Sequence, residues 1–580
     1  MKSSNILPLL LILLASCGKN KTTLFEELAP EETGVNFNNK ITDNDTFNIL
    51  TFEYIYNGGG VAIADFNQDG VQDLFFTGNQ TENKLYLNKG DWKFEDITSQ
   101  AGVGGKDRWK AGVAITDLNY DGKMDIYIAC MTYTPGPRRA NLLYINQGND
   151  KNGVPTFKEE AQAYGVADTA YTTACAFLDY DNDGDQDLYL AVNHQRKNEF
   201  PNSFRPKSTD GSSYNHDRLY RNDWDPVKKH AVFTEVSLEA GIKGEGFGLA
   251  INITDLNRDG WKDIYVSNDY VTNDHLYINN QDGTFTDRAG EYFKHTSYSA
   301  MGNEIVDFNN DGLMDIIALD MMPEDNYRRK TMLPANNYNT FQNFEEYKYQ
   351  HQYVRNTLQL NRGFAPGTQK IVFSEVSMLA GVSATDWSWA PIAADFDLDG
   401  YRDLIITNGF PKDVTDLDFV DYNSNAYAYA SKGFMNDNIP SVKLHNYAFR
   451  NRGDLTFESM GEKWGITQNS FSNGGAYGDL DNDGDLDYVV NNINDPASLF
   501  RNNLIDDRNK KSKNIDQPNW LSIRLKGDSL NPMGLGSLVE IHYGKGKKQF
   551  WEHSIYRGYL SSVQALAHFG LGKNQVVEKI

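Results

Sequence analysis

The chain alternates between short apolar runs and dense polar turns. Runs such as "GGVAIADFN" and "GLAINITDLN" lead into an acidic stretch, and β-branched or aromatic runs such as "DLFFTG" and "DIYVSN" lead out of it. A further run follows ("LYLN", "LYIN", "LYRN"), and then another ("FEDITSQAGV", "FTEVSLEAGI"). Runs this short, bounded by Gly, Asn and Asp, predict strands and turns. The unit of three or four strands recurs seven times. That repetition predicts an all-β chain, a seven-bladed β-propeller over residues 23–505. It overrides the roughly four domains that length alone suggests.

The acidic stretch between the first two strands of each unit carries the chemistry. In "DYDNDGDQDLYLAV", Asp179, Asp181, Asp183 and Asp187 take positions 1, 3, 5 and 9 of a loop with Gly184 at position 6. Alternate side chains on a tightly curled loop converge, and carboxylates brought together repel unless a cation sits among them. The pattern returns at Asp65, Asn67, Asp69 and Asp73, at Asp117, Asn119, Asp121 and Asp125, and at Asp255, Asn257, Asp259 and Asp263. It returns again at Asp307, Asn309, Asp311 and Asp315, at Asp395, Asp397, Asp399 and Asp403, and at Asp479, Asp481, Asp483 and Asp487. Oxygen ligands in that number suit Ca2+, up to seven ions with one per blade. Leu190 stands where an EF-hand has its bidentate Glu, so the loop is not an EF-hand.

Two further features bear on architecture. Thr23 to Phe37 ("TLFEELAPEETGVNF") reads as the outer part of a unit without its acidic loop, and the seventh unit lacks that part after "SLFRNN". The N-terminal segment is therefore expected to complete the seventh blade and leave no open edge. A charged linker over 506–518 precedes a small β-domain over 519–580, and removing everything after Pro518 is expected to be far milder than removing the N-terminal strand.

These units resemble the FG-GAP/VCBS repeat, the calcium-loop blade also seen in integrin α-chain propellers. "NWLSIRLKG", "GLGSLVEI" and "RGYLSSVQALAHFGLG" resemble an ASPIC/UnbV domain, and the combination resembles the cartilage acidic protein family and its bacterial relatives. The chain stops at "VVEKI", before the W-P-x-G strand that this resemblance implies, so the last domain reads as truncated.

"MKSSNILPLLLILLASC" reads as a signal peptide over 1–17 resembling a bacterial lipobox, with Cys17 as the lipidated residue. The apolar run is shorter than the roughly 20 residues of a membrane-spanning helix. The expected location is the outer membrane of the cell envelope, with lipid as the only membrane contact. Cys130 and Cys175 lie in apolar runs and are expected to be buried free thiols. The net charge of −24 argues against nucleic acid as a partner.

Loops leaving the second strands fall on the face opposite the acidic loops, with insertions at His194–His216, Asp320–Arg355 and Gly409–His445. A rigid scaffold presenting variable loops suggests a ligand face. Its candidate residues are Asn79, Asn193, His194, Asn268, Asp269, Asp320, Asn408, Asn491 and Asn492, with Trp389 as a stacking platform. The aromatics ahead of each loop (Tyr56, Trp109, Tyr171, Phe247, Tyr298, Trp387, Phe471) read instead as packing between blades. No catalytic motif appears. The reading is a calcium-binding, lipid-anchored ligand-binding or assembly module, with a glycan, a peptide or an outer-membrane protein such as a transporter as partner. A polysaccharide lyase or other carbohydrate-active enzyme is the alternative.

Overall fold

The structure is a computed structural model that describes residues 23–580 except 132–135, 195–200, 226, 229, 333–336, 427–428, 506–516 and 529. Cys17, its leader and most of the linker lie outside the described residues.

The chain is all-β, with seven units of four antiparallel strands at its centre, six of them separate sheets and the first extended by two C-terminal strands. The first runs Val61–Ala64, Asp73–Phe76, Lys84–Asn88, Phe94–Asp96, each strand paired with the next. The second to sixth sheets begin at Lys110–Thr116, Thr172–Leu178, Gly248–Thr254, Asn303–Val306 and Ser388–Ala394. In the seventh, Ser472–Gly478, Asp487–Asn492 and Ser498–Asn502 are completed by Phe25–Leu28. That N-terminal strand pairs Phe25 with Asn502 and Leu28 with Leu499. Phe25 is fully buried against Phe396 and Trp464.

First strands pack beside one another in chain order, and the seventh packs beside the first. They are buried at every position, which explains their continuous apolar and small-residue runs. The "AGV" segments differ from the strand reading. Phe94–Asp96 is followed by a helical turn, Thr98–Ala101, ended by Gly102 at φ 79°, whose N–H reaches Thr98 O. A left-handed C-cap is the reason for glycine there.

The C-terminal strands are Asn519–Ile523 paired with Ala567–Gly572, and Leu538–Tyr543 between Lys547–Glu552 and Val577–Lys579. Between them a hairpin, Tyr556–Arg557 and Ser561–Ser562, enters the space among the first strands. Ser562 pairs in parallel with Ala62, and Val113 N donates to Leu560 O at 3.0 Å. Tyr556 Oη donates to Ile115 O at 3.0 Å, and Asn303 N to Gly558 O at 3.1 Å. A Cβ on Gly60 would overlap the Leu560 carbonyl, so only glycine allows this approach. Removal of the residues after Pro518 would empty that centre, a contact that the expectation of a mild effect did not include.

Candidate functional site

The acidic loops share one geometry. The residue at position 4 is left-handed in all seven, from Leu398 at φ 57° to Gln68 at 60°, and the glycine at position 6 lies between 87° and 102°. The turn folds position 1 over the loop, so that Asp65 accepts the N–H groups of Asp69 (3.0 Å) and Gly70 (2.9 Å). Position 9 clasps the loop. Asp73 accepts the N–H of Phe66 at 3.0 Å and of Asn88 at 2.9 Å. Asp125, Asp187, Asp263, Asp315, Asp403 and Asp487 do the same with their own loops and strands.

Position 3 divides the loops into two kinds. Where it is Asn, its amide donates to the carboxylate at position 5, as from Asn67 to Asp69 at 2.9 Å, Asn119 to Asp121 at 3.3 Å, Asn257 to Asp259 at 2.9 Å and Asn309 to Asp311 at 3.0 Å. Where it is Asp, that donor is absent. Oxygens of Asp179, Asp181 and Asp187, of Asp395, Asp397 and Asp399, and of Asp479, Asp481 and Asp483 then lie within 4.8 Å of one another. Arg450 answers the sixth loop, reaching Asp397 at 2.6 Å and Asp399 at 2.8 Å. In the third and seventh loops, Asp179 Oδ1, Asp181 Oδ1 and Asp481 Oδ1 are buried without a hydrogen-bond partner. Burial, then neighbouring carboxylates, pushes Asp179 up to about 6 and Asp479 to about 7. Buried carboxylate oxygens lacking donors fit a hard divalent cation.

Two sets of residues in this region escaped the sequence reading. Asp185 and Asp485, at position 7 of these same two loops, are buried, each with an orphaned Oδ1. Their signal was a fifth aspartate in each loop. The other set is the asparagine ending each "LYLN"-type run. Beyond its backbone bond to position 9, Asn88 Nδ2 donates to Leu480 O at 2.8 Å, in the preceding sheet's loop. Asn146, Asn279, Asn451 and Asn502 reach Phe66, Tyr180, Phe308 and Phe396 in the same way. These amides stitch successive loops together.

C-terminal residues bind the fourth, sixth and seventh acidic loops. Glu552 accepts Thr254 Oγ1 (2.6 Å), Asp255 N (2.9 Å) and Lys262 Nζ (2.6 Å). Gln564 Oε1 accepts Asp479 N at 2.8 Å, and Arg402 donates to Phe550 O at 2.7 Å.

The residues expected to present the ligand face are largely buried. Asn79, Asn193, Asn268, Asn408, Asn491 and Asn492 are all buried, because their amides serve neighbouring carbonyls. Asn79 donates to Gly58 O and Lys110 O, Asn491 to Gly60 O and Thr77 O, and Asn492 to Pro496 O. Asn268 donates to Asn273 O, Asn193 to Gly248 O and Asn408 to Thr385 O. Asp320 is buried and accepts the N–H groups of Tyr298, Ser299 and Met321. His194 stacks on Tyr171 at 3.9 Å. Trp389 is no exposed platform: it is 1 % exposed, with Nε1 donating to Gly409 O at 3.0 Å.

Asp269 and Trp389 nevertheless meet at a cavity of about 460 Å³ on this face. Tyr54, Tyr270, Tyr298, Trp387 and Phe410 also line it. Tyr54, ahead of the first sheet, donates to Asp269 Oδ2 at 2.9 Å, just beyond the second strand of the fourth. Trp387 lies flat on Phe410 at 4.2 Å, and Trp389 packs on Tyr559 of the central hairpin at 5.3 Å. Cys130 and Cys175 are buried free thiols, and burial pushes Cys130 up to about 12.

Comparison with known proteins agrees with the motifs. FG-GAP-like repeats match residues 49–128 and 255–318, and an ASPIC and UnbV domain matches 527–580. Cartilage acidic protein 1 of Xenopus tropicalis is 29% identical over 216 residues, covering 37% of this chain and 29% of that protein. The Homo sapiens protein of the same name is 27% identical over 214 residues, covering 37% and 28%. The matched region thus spans less than a third of those relatives. A solved structure described as recognition of non-reducing terminal N-acetylglucosamine by an Agrocybe aegerita lectin covers 70% of this chain and 82% of its own, at 13% identity and a TM-score of 0.36. That likeness is too loose to bear on this chain's ligand.

Proposed function

We propose that the chain is a calcium-stabilised, seven-bladed β-propeller acting as a ligand-binding or assembly module of the bacterial cell envelope. The seven sheets, with first strands neighbouring one another in order and the seventh beside the first, support the propeller reading. The calcium reading is carried by the third and seventh loops, where Asp179, Asp181 and Asp481 each keep one buried carboxylate oxygen without a donor. Positions 1, 3, 5 and 9 of each loop would hold the ion, which supplies the positive charge that these carboxylates lack. Its role is structural, because residues of the C-terminal domain pack directly on the fourth and seventh loops.

The binding reading rests on the opposite face, where insertions surround the aromatic cavity. Partners of the class expected are a glycan, a peptide or an outer-membrane protein such as a transporter. The lipid anchor rests on "LASC" ending at Cys17. Metal content of the native protein, with melts in calcium and in chelator, tests the ion. An unchanged melt with no metal found defeats it. Glycan and peptide arrays test the module, where turnover of a glycan would favour an enzyme. Loss of palmitate incorporation in Cys17→Ser tests the anchor.

A further inference from the structure

We propose that the aromatic cavity is a site for an organic cation, a ligand carrying an ammonium group. The inference rests on the reading that this face binds ligands, and it names the chemistry.

Six aromatic side chains line the cavity: Tyr54, Tyr270, Tyr298, Trp387, Trp389 and Phe410. Ring faces attract an ammonium, and the attraction grows when water is excluded. Tyr54, Trp387, Trp389 and Phe410 form a buried floor, while Glu53 and Asn202 are exposed at the rim. The volume of about 460 Å³ suits a small ligand or a single long side chain.

Charge points the same way. Among the described lining residues, Glu53 and Asp269 are acidic, and none is Lys, Arg or His. Asp269 is 7 % exposed, and the donors that reach it, Tyr54 Oη at 2.9 Å and Tyr270 N at 2.7 Å, are neutral. Burial pushes its carboxyl up to about 6, as expected of a carboxylate with no counter-charge beside it. A buried carboxylate with neutral donors alone lacks a counter-charge, which an ammonium would supply. A neutral sugar would not.

A second observation is independent of charge. Trp387 Nε1 is buried without a hydrogen-bond partner at this cavity, on an indole 5 % exposed. An unpaired buried donor is costly. A ligand with an acceptor oxygen a few bonds from its ammonium would satisfy both ends of the site.

The test is calorimetric titration of the full chain with four probes. Choline and Nα-acetyl-lysine methylamide carry the ammonium, as a free quaternary amine and as a protein side chain. 3,3-Dimethylbutan-1-ol copies the shape of choline without its charge, and N-acetylglucosamine stands for a neutral glycan. At least one ammonium probe should bind at least tenfold more tightly than the neutral alcohol. Asp269→Asn should abolish that ratio, and Trp387→Phe should weaken binding without abolishing it. Tighter binding of choline identifies a free amine as the natural class, and tighter binding of the lysine probe identifies a side chain. Equal binding of choline and the alcohol, or binding of the sugar alone, overturns the cation while sparing the ligand face. Silence of all four probes and of the arrays overturns both.

Discussion

Arg557 on the central hairpin and Glu304 on the first strand of the fifth sheet form an ion pair at 2.5 Å, with side chains 4 % and 0 % exposed. The remaining valences are used as well. Gly558 N donates to Glu304 Oε2 at 3.1 Å, and Arg557 donates to Ser554 O at 2.9 Å and Glu552 O at 3.0 Å. The pair joins the C-terminal residues to the middle of the sheets.

Breaking one side leaves a buried charge alone. Arg557→Met is expected to destabilise the full chain by about 3–5 kcal/mol. The double variant Glu304→Gln, Arg557→Met should lose less than the two single changes added together. Denaturant unfolding of the four proteins measures the coupling. Additive losses would mean that the pair is not a unit.

The loop at Asp479 should respond to Asp481→Asn with opposite signs. Without calcium, the new amide can donate to Asp483 as Asn67 does to Asp69, relieving carboxylate repulsion. With calcium, one charged ligand is lost. The melting temperature is therefore expected to rise in chelator and fall in calcium. Calcium at 100 times its dissociation constant is worth about 2.7 kcal/mol per site, so the difference is measurable by calorimetry.

Asn279 ties the fourth sheet to Tyr180 O of the third at 2.7 Å in buried surroundings, and also reaches Lys262 O of its own loop at 3.3 Å. Asn279→Ala leaves those carbonyls unsatisfied and should cost about 1–3 kcal/mol. Asn361 reaches Met314 O at 3.2 Å within its own sheet. Its Ala variant should be milder, and equal losses in urea unfolding would refute the stitching role.

His553 gives an acid-dependent term. It is 1 % exposed, and burial, then the charge of Arg557, lowers it to about 4. The unfolded ring takes up a proton near 6.5 while the folded one stays neutral, so stability is lost as pH falls from about 6.5 towards 4. Relative to His553→Leu, the parent should lose about 3 kcal/mol between pH 7 and pH 4. Paired unfolding curves check this, since the variant cancels the contribution of the loop carboxylates. A constant difference would remove His553 from the acid response.

What the sequence alone determined is whatever depends on neighbours along the chain. The spacing of Asp179, Asp181 and Asp183 around Gly184 sets a loop, and the apolar runs beside it set two strands, because both are local consequences of backbone geometry. The pairing of Phe25–Leu28 with Ser498–Asn502 was also legible, since each end of the repeat lacked what the other carried. Strand-end asparagines such as Asn79 and Asn491 were legible as polar but not as buried. A side chain's partners across 400 residues, as from Asn491 to Thr77 O, leave no local pattern. The cavity has the same origin, since Tyr54 meets Asp269 across 215 residues. The hairpin from Tyr556 to Ser562 lies in a stretch that the sequence marks only by its resemblance to an ASPIC/UnbV domain. Only the tertiary structure decided that it fills the centre of the sheets, where Gly60 leaves room for it and Glu304 needs the charge of Arg557.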